Sequence, residues 1–167
     1  DDSTYEGNET GIVAISTVSG GSATEDGTQS VTITITENES SPTITLATSA
    51  SSIAENAGSS LTLTATSSIV ADEDITVSIS TSGTGTEGTD YSTISDITIS
   101  AGDTTGTVNF TPTDDSVYEG NETGVVAISG VSGADAAEDG TQSVTITITE
   151  NESAPTVTLT TSASSIA

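Results

Sequence analysis

Ser143-Val144-Thr145-Ile146-Thr147-Ile148-Thr149 sets an apolar side chain at every second position with threonine between them. Successive side chains of an extended strand point to opposite faces, so this stretch has one dry face and one wet face. Ser30 to Thr36 repeats it letter for letter, and no comparably long stretch has the 3.6-residue period of an amphipathic helix. The 35 threonines and 28 serines fit the same reading, because β-branched threonine packs well on a pleated surface and is not a disorder former. The expectation is an all-β fold.

Working outward, Asp114 to Ala167 reproduces Asp1 to Ala54 at an offset of 113, with 45 identities in 54 positions. A period of that length is a whole domain, well beyond the ~20–50 residues of a solenoid unit. The chain reads as an excerpt of a tandem array. Residues 1–41 are the C-terminal part of one repeat, 42–154 form one complete repeat, and 155–167 begin the next. Forty-one residues cannot bury a core alone, so strand edges of an ordered leading fragment are expected to pair with the intact repeat or with another chain.

In the complete repeat the pattern predicts strands at 43–48, 61–66, 75–80, 94–99, 107–111, 123–129 and 143–149. Gly-, Ser- and acid-rich turns separate them. About seven short strands at this spacing predict an immunoglobulin-like antiparallel β-sandwich. Its inner faces take Leu61, Leu63, Ile75, Val77, Ile79, Ile97, Ile99, Val108, Phe110, Val126 and Ile128.

Twenty-five carboxylates meet no Lys, Arg or His, giving a net charge of −25. Nucleic-acid backbones and anionic membrane surfaces need basic side chains, so both are excluded as partners. No apolar run reaches the length of a membrane span. With no His, Cys, Lys or Arg, the usual catalytic groups are missing. Four aromatic residues give no platform for a sugar between paired carboxylates. The expectation is a protein that is not an enzyme and takes no small-molecule substrate. Gly83-Thr84-Gly85 is not a phosphate loop, for no helix and no Lys follow.

The partner such a chain invites is a cation. Carboxylates gather at strand ends and loops: Glu55, Asp90, Asp114-Asp115 with Glu119, and Glu150-Asn151-Glu152. Oxygen ligands without imidazole or thiolate suit hard cations, and adaptable loop ligands favour calcium over magnesium. Asp72-Glu73-Asp74, Glu25-Asp26-Gly27 and Glu138-Asp139-Gly140 read instead as charged loops.

Gly88-Thr89-Asp90-Tyr91, Ala101-Gly102-Asp103-Thr104, Asp114-Asp115-Ser116-Val117-Tyr118-Glu119-Gly120-Asn121-Glu122 and the closing Thr149-Glu150-Asn151-Glu152 together resemble the Calx-β family in order and spacing. The resemblance implies ions clustered at one end of the sandwich. It nominates Glu55, Asp90, Asp114, Asp115, Glu119, Glu150, Asn151 and Glu152 as ligands in the complete repeat. The leading fragment supplies Asp1, Asp2, Glu6, Glu37, Asn38 and Glu39. The sequence departs from the family pattern in three ways: Glu-Asn-Glu replaces the closing Asp-Asn-Asp, Gly124 stands at a usual core Phe, and Ala101 replaces a turn Pro.

Similar repeats occur in giant bacterial surface adhesins. The resemblance therefore implies a secreted, calcium-rigidified spacer, with several Ca²⁺ per repeat near the joint between repeats. Its partners would be neighbouring repeats of the same chain. The alternative is a self-assembling extracellular filament in which identical chains exchange strands. A calcium sensor is disfavoured by the near-identity of the copies.

Overall fold

The computed structural model describes residues 2–162 and 164, and every regular element among them is a strand. The leading fragment carries β1 (Thr4–Tyr5), β2 (Glu9–Ala14) and β3 (Ser30–Ile35). The complete repeat carries β4 (Thr43–Thr48), β5 (Ser52–Ala54), β6 (Leu61–Ser67), β7 (Val70–Ala71) and β8 (Ile75–Gly83). It continues with β9 (Ile97–Ile99), β10 (Thr105–Phe110), β11 (Glu122–Ser132), β12 (Ala137–Glu138) and β13 (Ser143–Thr149).

Two sheets enclose the core, in the orders β10-β6-β4-β12 and β5-β13-β11-β8-β9. The main pairings are antiparallel, while β12 and β5 add to their sheets in parallel. The β4 and β13 spans coincide with those expected from alternation, and β8 and β11 run longer. The strand expected at 94–99 is regular only over Ile97–Ile99, although Ile94 is buried. All eleven expected core residues lie in the hydrophobic core or pack against it.

Threonine alternation gives β6 its pattern of buried Leu61, Leu63 and Ala65 between half-exposed Thr62 and Thr64. Burying each Leu or Ile contributes about 1.5–3 kcal/mol. With few large side chains, the core leans on one aromatic pair. Tyr91 and Phe110 stack with centroids 4.6 Å apart at an interplanar angle of 21°. Gly124 makes this possible: a Cβ there would stand 2.8 Å from Phe110 Cε2 and 3.5 Å from Tyr91 Cε1. Phe110, arriving from β10, fills the space beside Gly124.

The leading fragment meets the sandwich through a short parallel ladder, Thr4 with Val70 and Tyr5 with Ala71. Among the described residues, strand-edge pairing with the intact repeat is confined to these two. The β2–β3 hairpin pairs with itself and leaves Ile12, Val13, Val31, Ile33 and Ile35 exposed. Their counterparts at an offset of 113 include Val126, Ile146 and Ile148, which are buried in the complete repeat.

Candidate metal centre

The end of the β5–β13 ladder builds the first carboxylate group. Ala54 is in register with Thr149, and the Glu55 amide donates to the Thr149 carbonyl at 3.0 Å. The next residues, Glu55 and Glu150, therefore leave the ladder side by side. Carboxylate oxygens of Glu55, Glu150 and Glu152 lie within 4.8 Å of one another. The loop before β11 lies against them, with the Asp115 amide 3.3 Å from Glu55 Oε1.

Glu150 holds this end together. Its Oε2 accepts from the amides of Glu119 (2.6 Å) and Gly120 (2.8 Å), and its Oε1 accepts from Asn151 (2.9 Å) and Glu152 (3.0 Å). The Glu150 amide donates in turn to Asn121 Oδ1 at 3.1 Å. Amide donors favour the ionised form, chiefly those of Glu152 and Glu119, and bring the Glu150 pKa down to about 2. Its neighbours move the other way. Glu152 is raised, first through its contact with Glu150 and then by burial and nearby charge. Glu55 is raised mainly by burial, with Glu150 and Asp115 adding repulsion.

Asp90, Glu119 and Glu122 form a second group within the same 4.8 Å limit. Asp90 is set by the loop after β8, where its Oδ2 accepts the Thr86 amide at 2.6 Å. Burial first, then Asp90 and other acids, raise Glu119 and Glu122. Glu122 closes the quoted motif but is not among the residues nominated from the sequence; in the structure it opens β11, one residue before the expected strand. Its spacing of three from Glu119 in Glu119-Gly120-Asn121-Glu122 was the available signal.

The other nominated residues surround these groups. Asp114 is close enough to raise Glu152, and Asp115 Oδ1 accepts the Val117 amide at 2.6 Å. Asn151 Nδ2 donates to Glu152 Oε1 at 2.9 Å. The leading fragment repeats the glutamate cradle, but among the described residues its acids do not gather three carboxylates within 4.8 Å. Glu37 accepts from Glu6, Gly7, Asn38 and Glu39 at 2.6–2.9 Å and is likewise lowered to about 2, chiefly by the Glu39 and Glu6 amides. Asp2 is the leading cause that raises Glu6, and Glu37 that raises Glu39. Asp1 lies outside the described residues.

The donor set fits a hard cation. Glu152 Oε2 is buried without a hydrogen-bond partner, and the chain owns no cationic side chain to meet it. Buried carboxylate oxygens are costly unless paired, and an oxygen-ligated cation satisfies several at once. The acid loops that read as charged surface have structural tasks. Asp74 Oδ1 accepts the Ala101 amide at 2.8 Å, and Glu73 Oε2 accepts the Ala134 amide at 3.2 Å.

A family model described as "Calx-beta domain" matches residues 37–152. Among solved structures, the apo form of the Calx CBD1 domain is similar at 16% identity with a TM-score of 0.53. That alignment covers 67% of this chain and 99% of the other. CBD12 from CALX1.2 is similar at 16% identity and a TM-score of 0.52, covering 62% of this chain and 44% of that one. Comparison with curated proteins gives no match. The structural likenesses bear on the fold alone. The match over residues 37–152 spans more than half of the sequence, and the chain belongs to the Calx-beta domain family.

Proposed function

We propose that the chain is a calcium-binding, non-catalytic spacer repeat of a large secreted bacterial surface adhesin, stiffened by calcium at the joints between repeats. The observation that carries the reading is the unpartnered Glu152 Oε2 beside Glu55 and Glu150 in a protein with no positive side chain. The family includes calcium-binding domains, and adaptable carboxylate loops suit that ion. Glu55, Asp90, Asp114, Asp115, Glu119, Glu122, Glu150, Asn151 and Glu152 are the ligands we assign.

Stiffening follows from where the fragment's acids sit. Asp2 and Glu6 flank Tyr5, the residue docked on the following repeat. A cation gathering Asp2, Glu6, Glu37 and Glu39 fixes the loop that makes the joint. Ion binding to the native form alone adds stability by mass action. A chain exported without calcium and folded outside the cell fits this linkage.

The experiment is a calcium titration after chelation, read by thermal melting and solution scattering, with magnesium as control. Steep stabilisation by calcium with lengthening of the molecule is expected. An equal response to any salt would reduce the carboxylates to a solubilising coat. A self-assembling filament in which identical chains exchange strands is the second reading. Calcium-dependent polymerisation in place of elongated monomers would select it.

A further inference from the structure

The sequence writes Asp-Asp-Ser-X-Tyr-Glu-Gly-Asn-Glu twice, yet its two tyrosines have opposite fates. Tyr5 is 7% exposed and Tyr118 is 45% exposed. Tyr5 enters a socket on the complete repeat, where it joins the same hydrophobic cluster as Ala71 and Ala134. Its hydroxyl donates to Asp135 Oδ2 at 2.9 Å, and its carbonyl accepts the Asp72 amide at 3.1 Å. The socket walls are tied by the Glu73–Ala134 and Asp74–Ala101 hydrogen bonds.

We infer that Tyr118 is the corresponding plug for the next copy of this repeat, so that one tyrosine contact, repeated every 113 residues, sets the geometry of the array. Three observations carry this. First, the loop holds the same hydrogen bonds whether docked or free. Asp2 Oδ1 accepts the Thr4 amide at 2.7 Å, and Asp115 Oδ1 accepts the Val117 amide at 2.6 Å. The Glu6 and Glu119 amides each reach a Glu Oε2 at 2.6 Å. A plug already in its bound shape loses little freedom on docking. Second, the one change within the loop, Thr4 to Val117, exchanges one β-branched residue for another at the position that pairs with Val70. Third, residues 155–167 repeat 42–54, the segment that opens the repeat carrying the socket.

The contact is head to tail, with plug and socket on different surfaces of one repeat. Such contacts propagate as open arrays and do not close into pairs. The socket also varies between copies: Ala134-Asp135 here corresponds to Gly21-Ser22 in the preceding repeat. Both Asp and Ser can accept from a tyrosine hydroxyl, the ionised group more strongly.

The test is a chain of residues 1–154 followed by a second copy of 42–154 whose own Tyr118 is replaced by Ser, footprinted with hydroxyl radicals in calcium and again in chelator. Labelling of Tyr118 is expected to fall about sixfold from its value in the 167-residue chain, the ratio of 45% to 7% exposure. A protected Phe110 in the added copy reports that the copy is folded. Protection of Tyr118 in either condition supports the docking. A folded added copy with Tyr118 labelled at its old rate in both conditions overturns it. Tyr118→Ser in the extended chain must also broaden the scattering-derived distances between repeats, and an unchanged distribution counts equally against the plug.

Discussion

Tyr5 and Asp135 are separated by 130 residues in sequence and joined by a 2.9 Å hydrogen bond, the tyrosine hydroxyl donating. Asp135 is exposed, so water replaces the bond readily and its loss costs little. The ring is another matter, because it is buried in the same hydrophobic cluster as Ala71 and Ala134. Tyr5→Phe is expected to lower stability of the docked state by under ~1 kcal/mol. Tyr5→Ala is expected to cost about 3 kcal/mol of docking and to release residues 1–41 from the sandwich. Solution scattering checks this: the radius of gyration should grow for Tyr5→Ala and stay put for Tyr5→Phe.

Gly124 should resist even the smallest side chain. A Cβ there meets Phe110 ring carbons at 2.8 and 2.9 Å, too close without displacing the stacked pair. Gly124→Ala is expected to destabilise the sandwich by about 1–3 kcal/mol, the range for overpacking. Adding Phe110→Leu should recover part of that loss, because the two changes share one space and will not add. Denaturant melts of the two single variants and the double complete the cycle.

How much of this was legible in the sequence depends on what fixed each feature. The β4 and β13 boundaries could be read because six or seven alternating residues carry the signal themselves. Val70–Ala71, Ser52–Ala54 and Ala137–Glu138 could not, since strands of two or three residues exist only through the neighbour they pair with. The acid clusters followed from motif order, but that order gave Glu122 no ligand role, and only the fold brings it beside Asp90 and Glu119. Tyr5 and Tyr118 mark the limit most clearly. Near-identical local sequence gives near-identical loops, and only the presence of a docked copy separates buried from exposed.

Neutralising single carboxylates should separate Glu152, whose free oxygen serves only a cation, from Glu150, which also holds the loops through four amides. Glu152 Oε2 has no partner, so Glu152→Gln removes repulsion and leaves no amide stranded. In chelator this variant should melt higher than the parent, and it should lose most of the calcium-induced rise. Glu150→Gln is expected to melt lower with and without calcium, because Gln brings an NH₂ toward amides that need acceptors. Paired melts in calcium and chelator distinguish the patterns, and identical behaviour of the two variants would contradict the division of roles.

The pH dependence without cations follows from the same division. Glu55, Glu119, Glu122 and Glu152 are raised above 4.5 in the folded protein, so the native state binds protons that the unfolded chain does not. Their contribution is fully present below 4.5 and fades as pH climbs through their folded values toward neutrality. Glu150 and Glu37 are lowered to about 2, so their contribution is present above 4.5 and is lost as pH falls from 4.5 toward 2. The chelated protein should therefore melt highest in mild acid near pH 4.5 and lower on either side. Calcium competes with protons for the raised carboxylates, so saturating calcium should flatten the neutral side and move the optimum upward. Calorimetric melts from pH 2 to 8 in chelator and in calcium check both arms. An optimum at neutral pH in chelator would mean that the acids at this end of the sandwich do not strain the fold.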